Sequence, residues 1–266
     1  MLPLRTLAAA VASGEPPERG IALTFDDGYM DNLEIAAPIL AELGVPATFF
    51  LTSESLTARR RFWWDALEEM LLWADGCPER IEVRFRGQLR SFQTAKPAAR
   101  RAAHDELYGI YKASAPVVRD DMLAQLARQT SVSLISEAHR PMLADEVRRL
   151  RAFPLIEVGA HGMHHLSLPH LSAEECHREV FESRSALERL TGHPVTSFAY
   201  PFGDVSPETV TAVMAAGFHV AVGCEVRGLR AREHRFRIPR LPTREESGTE
   251  LGARLAQMLS GGAAEV

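Results

Sequence analysis

Lysine is almost missing from this chain: Lys96 and Lys112 stand alone among 30 basic residues, and all the others are arginine. Against 35 acidic residues this leaves a formal net charge of -5, so no basic surplus tracks a phosphate backbone and no nucleic-acid partner is expected. Cysteine is scarce as well. Cys77, Cys176 and Cys224 are odd in number and widely separated, which argues for free thiols over a disulfide framework and favours a reducing compartment, so a cytoplasmic location is expected. No apolar run approaches the ~20 residues of a bilayer-spanning helix, so no stable membrane insertion is expected. The stretch from Met1 to Ala12 has a superficial likeness to an export signal. Arg5 interrupts its apolar part, however, and the pattern fits a short amphipathic helix ending near Gly14, read here as part of the domain.

What is present is enough for a sizeable core: 266 residues, 46% of them hydrophobic, can form one large α/β domain. Strand and helix signals alternate along it. Residues 31–43 carry a helical pattern that stops at Gly44, and Val45 to Leu51 reads as a buried strand. Ser172-Ala173-Glu174-Glu175 is a capping-box signature for a helix running to Gly192. Ser206-Pro207 opens another helix, ended by Gly217. Such repetition implies a parallel sheet or barrel with its functional groups at the strands' carboxyl ends.

Two of those strand ends carry chemistry. Ile21-Ala22-Leu23-Thr24-Phe25 is apolar and runs into Asp26-Asp27-Gly28, so two adjacent carboxylates stand where a strand opens into a loop and point in different directions. Leu155 to Ala160 reads as a second strand, with His161-Gly162-Met163-His164-His165 at its end. An Asp-Asp-Gly alone is usually a turn, and a His-x-x-x-His alone can be a helix face. Both closing apolar strands together indicate a metal site, in which one Asp and two His bind the ion and the second Asp stays free as a base. Such N/O ligands suit Zn, with Co, Ni, Fe or Mn as other divalent candidates.

Thr24-Phe25-Asp26-Asp27-Gly28, then His161-x-x-x-His165, then Phe198-Ala199-Tyr200-Pro201-Phe202-Gly203 resemble the first three motifs of the polysaccharide deacetylase family (carbohydrate esterase family 4), over about residues 18–55 and 140–243. The resemblance implies an α/β fold, an irregular (β/α)7-type barrel. It implies Asp26 as general base and Asp27, His161 and His165 as metal ligands, with His164 an alternative ligand if the loop register differs. The third motif lines the substrate groove, which makes Tyr200 and Pro201 substrate-binding candidates, and its backbone N–H at Phe202 would hold the oxyanion. The implied reaction is removal of an N-acetyl group from an amino sugar or glycan precursor.

The chain departs from that pattern in three places. Ala199 replaces the arginine that tunes the base, no Asp-x-x-x-Trp fourth motif is found, and the usual Leu-x-His near the C-terminus reads Arg237-Ile238-Pro239-Arg240-Leu241. Arg240 could orient the base or the substrate but cannot donate a proton at neutral pH. His170, His219 and His234 are candidates for the missing acid, each with a plainer structural reading. Hydrolysis of another C–N bond, such as a formamide or cyclic amide, and a catalytically silent metal- or glycan-binding member are the alternatives.

Residues 56–135 lie outside the resemblance and read as a helical insertion, a cap on the single domain 1–266. Phe62 to Leu72 forms an aromatic-rich amphipathic helix, for which packing is the first reading and sugar stacking by Trp63 or Trp64 the second. Ile81 to Phe92 alternates like a β-hairpin with Arg84, Arg86 and Arg90 expected on one side, where they could meet a substrate phosphate.

Overall fold

A computed structural model of the chain describes residues 1–15, 17, 19–137, 139–230, 233–243 and 245–259. The last seven positions of the domain 1–266 expected from the sequence lie outside the described residues. In chain order the elements are α1 (Leu4–Ser13), β1 (Leu23–Phe25), α2 (Ala37–Glu42), β2 (Ala47–Leu51), α3 (Trp63–Glu68), β3 (Arg80–Phe85), β4 (Gln88–Gln93), α4 (Pro97–Lys112), α5 (Pro116–Thr130), α6 (Ala144–Arg149), β5 (Ile156–Ala160), α7 (Ala173–Thr191), β6 (Ser197–Ala199), α8 (Pro207–Ala215), β7 (Val220–Val222) and α9 (Gly248–Leu259). They fall into two compact units: the residues up to Glu54 with those from Ala144 onward, and Ser55–Leu143.

The first unit is an irregular (β/α) barrel. Its five strands are all parallel, in the order β1-β2-β5-β6-β7, and Val222 forms one further parallel bridge to Ile238. All five residues of β2 are buried, as a strand packed on both faces requires, so it reads as a continuous apolar run. Phe50, Ala199, Val220, Val222 and Ile238 meet in one cluster, to which α1 adds Leu4 and Ala8. The amphipathic start of the chain is therefore part of this core, and its helix ends on Gly14 in the left-handed region. Gly159 stands opposite Phe50 in the register. A Cβ there would lie 2.4 Å from the Phe50 ring and 2.7 Å from Ser197 Oγ, so this crossing needs glycine.

The helix signals act as read. Ser172 and Glu175 form a reciprocal capping box on α7, Gly192 closes that helix at φ +72°, and Ser206 caps α8 with Pro207 in its first turn. The pattern at 31–43 resolves into a π-helical turn, Asn32–Ala36, followed by α2. Because the strands are parallel, the residues after β1, β5 and β6, namely Asp26, His161 and Tyr200, leave the sheet at the same end.

In the second unit β3 and β4 form an antiparallel hairpin. Gln125 and Gln129 of α5 each bond both the backbone N–H and the C=O of a β3 residue, Arg84 and Glu82 respectively. Their amides thus occupy hydrogen-bonding positions at the strand edge where another strand would pair. Trp63 is buried and stacks on Tyr111 with centroids 5.3 Å apart, so packing is its role, while Trp64 stacks on Phe62. The expected row of three arginines does not form. Arg84 pairs with Leu89 and Arg90 with Val83, and in a two-residue hairpin even positions of one strand oppose odd positions of the other, so Arg84 and Arg90 lie on opposite faces. Arg90 is also paired with Glu106. Among the described residues no helix is long and apolar enough to cross a membrane.

Candidate active site

Three side chains from two strand ends meet here. Asp27 Oδ1 lies 3.5 Å from His161 Nε2 and 3.3 Å from His165 Nε2, and the three atoms are all within 4.8 Å of one another. Their protonation follows from the surroundings. His161 Nδ1 is 2.8 Å from the Ala199 carbonyl, which can only accept, so Nδ1 carries the proton and Nε2 presents its lone pair to Asp27. Burial pushes the His161 pKa down, and the opposing pull of Asp26 does not restore it, so the ring is held neutral, as metal ligation requires. Among the described residues no hydrogen-bond donor reaches the buried Asp27 Oδ1. An acceptor-only carboxylate oxygen facing an imidazole lone pair is unfavourable by itself and fits a divalent cation between them.

The backbone around this cluster is strained. Asp27, His165 and Phe202 adopt φ values of +68°, +51° and +61°, a region that non-glycine residues enter at some cost and that concentrates at functional sites. The Phe202 ring meets the His165 ring edge-on with centroids 4.5 Å apart. The histidine loop is tied to the end of β2 and the residues beyond it by His161 N–H to Leu51 O at 2.9 Å, Ser53 N–H to Gly162 O at 3.2 Å and Glu54 N–H to Met163 O at 3.0 Å. After Asp27, Gly28 takes φ +74°, where a Cβ would strike the Leu51 side chain at 2.4 Å.

Asp26 is turned to a different partner. Arg240 donates from Nη1 to Asp26 Oδ1 at 2.6 Å and from Nη2 to Oδ2 at 2.7 Å, a two-pronged, charge-assisted contact. The same guanidinium donates to Gly223 O and Thr24 Oγ1, which fixes its plane. Burial pushes the Asp26 carboxyl up, but His161, Arg240 and His165 together outweigh it and hold the group below the ordinary aspartate value. It is therefore ionised at neutral pH.

Other expected residues are placed differently. His164 stands outside the cluster, its Nδ1 2.9 Å from Glu179 Oε2, and that hydrogen bond raises its pKa. Tyr200, expected to line a groove, is fully buried with its hydroxyl donated to Phe236 O at 3.0 Å, and Pro201 is buried beside it; the Tyr200 side chain is core because it fills the space between β6 and the segment before Ile238. His219 is exposed at the amino end of β7, its N–H bonded to Thr196 O, at the opposite end of the sheet from Asp26. It lines a cavity of about 710 Å³ with Arg5, Arg151, Glu157 and His193. His170 and His234 are exposed. Glu179 went unread in the sequence, although its spacing with Cys176, Val180, Ser183 and Leu187 on the buried stripe of α7 would have marked it as inward-facing.

The family model for polysaccharide deacetylase matches residues 13–74 and 121–221, more than half of the chain. A 56-residue stretch is 36% identical to a Bacillus subtilis (strain 168) protein named "Putative polysaccharide deacetylase YxkH". The match spans about a fifth of that relative's length. Among solved structures, the Streptococcus pyogenes deacetylase PplD in complex with acetate superposes with a TM-score of 0.60 at 14% identity, covering 97% of this chain and 78% of that one. The deacetylase domain of BpsB from Bordetella bronchiseptica gives 0.53 at 15% identity, covering 90% and 76%. At these identities the likeness is one of fold.

Proposed function

This chain belongs to the polysaccharide deacetylase family, and from that premise we propose that it is a metal-dependent hydrolase that removes an N-acetyl group from an amino sugar of a glycan precursor. The observation that carries the reading is the division of the two adjacent carboxylates: Asp27 faces two imidazole nitrogens, and Asp26 is gripped by Arg240. One aspartate is thus committed to a ligand cluster and the other is left as an oriented, ionised base.

Asp27, His161 and His165 would hold a divalent ion, Zn by the donor set. When bound, that ion supplies Lewis-acid polarisation of the acyl carbonyl and activation of water. The remaining work falls to the chain's own groups. Asp26 accepts the proton from the attacking water through Oδ1 or Oδ2, and Arg240 keeps its carboxylate facing one way. The Phe202 backbone N–H donates to the oxygen on which negative charge develops, and its left-handed turn supports a pre-set direction for that donor. The unpaired state of Cys77, Cys176 and Cys224 supports a reducing, cytoplasmic setting and so a precursor substrate.

The test is acetate release from N-acetylated nucleotide sugars and chitooligosaccharides with added Zn. Release from a nucleotide sugar is expected. Release from the oligosaccharides alone overturns the precursor assignment, and formate or a ring-opened carboxylate in place of acetate from a wider amide panel overturns the bond assignment.

A further inference from the structure

We propose that Glu179 is a positioning residue that holds the segment between the two candidate histidine ligands in register, an inference that rests on reading Asp27, His161 and His165 as a metal centre. Glu179 is 4% exposed, and a buried carboxylate is costly unless its oxygens are satisfied. Both of its oxygens are used on one residue. Oε1 accepts the His164 backbone N–H, and Oε2 accepts from His164 Nδ1 at 2.9 Å. Oε1 also lies 3.3 Å from where a Cβ on Gly162 would stand. A single side chain of α7 therefore bonds His164 twice, within the stretch that separates His161 from His165.

The position of that contact gives it a consequence for binding. His165 holds φ +51°, a conformation that persists only where its surroundings determine it, and the residue just before it is the one Glu179 fixes. α7 is a firm anchor, 19 residues long with a capping box at its start and a left-handed glycine at its end. Releasing the loop would leave the side chains of Asp27, His161 and His165 intact while loosening the distances between their ligand atoms. Groups bonded directly to a ligand typically change metal affinity by about 10- to 100-fold, and Glu179 acts one residue away, through His164, so an effect toward the lower end of that range is expected.

The experiment compares zinc affinity, by competition with a chromophoric chelator, for the wild type, Glu179→Gln and His164→Ala, with the zinc-free melting temperature and the Co(II) visible spectrum read alongside. Glu179→Gln keeps the shape of the side chain but disrupts the paired acceptance. Its zinc Kd is expected to weaken by about 10-fold with an altered Co(II) spectrum, while the zinc-free melting temperature moves by a few degrees. His164→Ala, which keeps the backbone bond, is expected to lose less. An unchanged zinc Kd in Glu179→Gln overturns the proposal, as does a lowered melting temperature with unchanged affinity. If Glu179→Gln does not fold, His164→Ala decides: weaker zinc binding supports the proposal and unchanged binding overturns it. Zinc binding is read without turnover, so a wild type that binds zinc yet releases no acetate overturns the deacetylase reading alone.

Discussion

Arg240 and Asp26, 214 residues apart in the chain, face each other as a two-pronged ion pair, with each guanidinium Nη donating to one carboxylate oxygen. The motif that the chain resembles carries an arginine at the position of Ala199, on β6. Ala199 stands there instead and its carbonyl serves His161, while the guanidinium comes from the segment after β7. A guanidinium thus stands beside Asp26, supplied from a different place in the sequence.

Arg240→Lys keeps a positive charge but cannot bridge both oxygens. With Asp26 as the base, kcat/KM is expected to fall by about 10²-fold, while zinc affinity stays within about twofold because Arg240 bonds none of the three candidate ligands. Steady-state kinetics beside a zinc titration checks this. Weaker zinc binding with unchanged turnover per bound ion would contradict it.

Phe202 is proposed to act through its backbone, so Phe202→Gly should be mild. Glycine adopts φ +61° without strain and keeps the N–H, and kcat is expected to remain within about tenfold of the wild type. A loss of 10³-fold or more would show that the ring, through its contact with His165, matters more than the donor.

Gly159→Ala tests the barrel interior. The added methyl would overlap the Phe50 ring and Ser197 Oγ, and overpacking of this kind costs about 1–3 kcal/mol. Urea denaturation should show a lower midpoint with an unchanged slope, and an unaffected midpoint would mean that β2 and β5 have slack the structure does not show.

Much of this arrangement was legible in the chain. Apolar runs ending in Asp26-Asp27-Gly28 and in His161 to His165 identified two strand ends, and the spacing of Ser172, Glu175 and Gly192 bounded α7. These are local signals, set by turn chemistry and capping within a few residues. The Arg240–Asp26 pair is not decidable from the chain, because only the curling of the sheet brings the segment after β7 beside the end of β1. Glu179 sits in the acidic, arginine-rich run Glu174 to Arg184 and looks solvated until the buried stripe of α7 is traced. Alternation alone leaves the facing of the hairpin arginines open, and the two-residue turn at Arg86-Gly87 is what puts Arg84 and Arg90 on opposite faces. Tyr200 reads as a motif residue that could face substrate, and only the strand's facing direction reveals it as core.

The Arg227–Glu233 pair gives a pH-dependent prediction. Two bonds join them, one of 2.5 Å and one of 3.0 Å, and hydrogen bonding from Arg227 holds the Glu233 carboxyl below its ordinary value against the opposing effect of burial. A depressed carboxylate contributes stability above its unfolded pKa, about 4.3, and loses it as pH falls through the folded value. Wild type should therefore exceed Glu233→Gln by about 1 kcal/mol at pH 7, and the gap should shrink below about pH 4. A gap that stays constant from pH 7 to pH 3 would contradict the pairing.

The most direct test of the central claim, that Asp26 is the base and Asp27 a ligand, is to measure acetate release and zinc affinity in parallel for Asp26→Asn and Asp27→Asn. The account predicts that Asp26→Asn loses turnover by at least about 10²-fold while keeping zinc affinity near that of the wild type, and that Asp27→Asn loses zinc affinity and turnover together. Retained turnover in Asp26→Asn, or wild-type zinc affinity in Asp27→Asn, would contradict it.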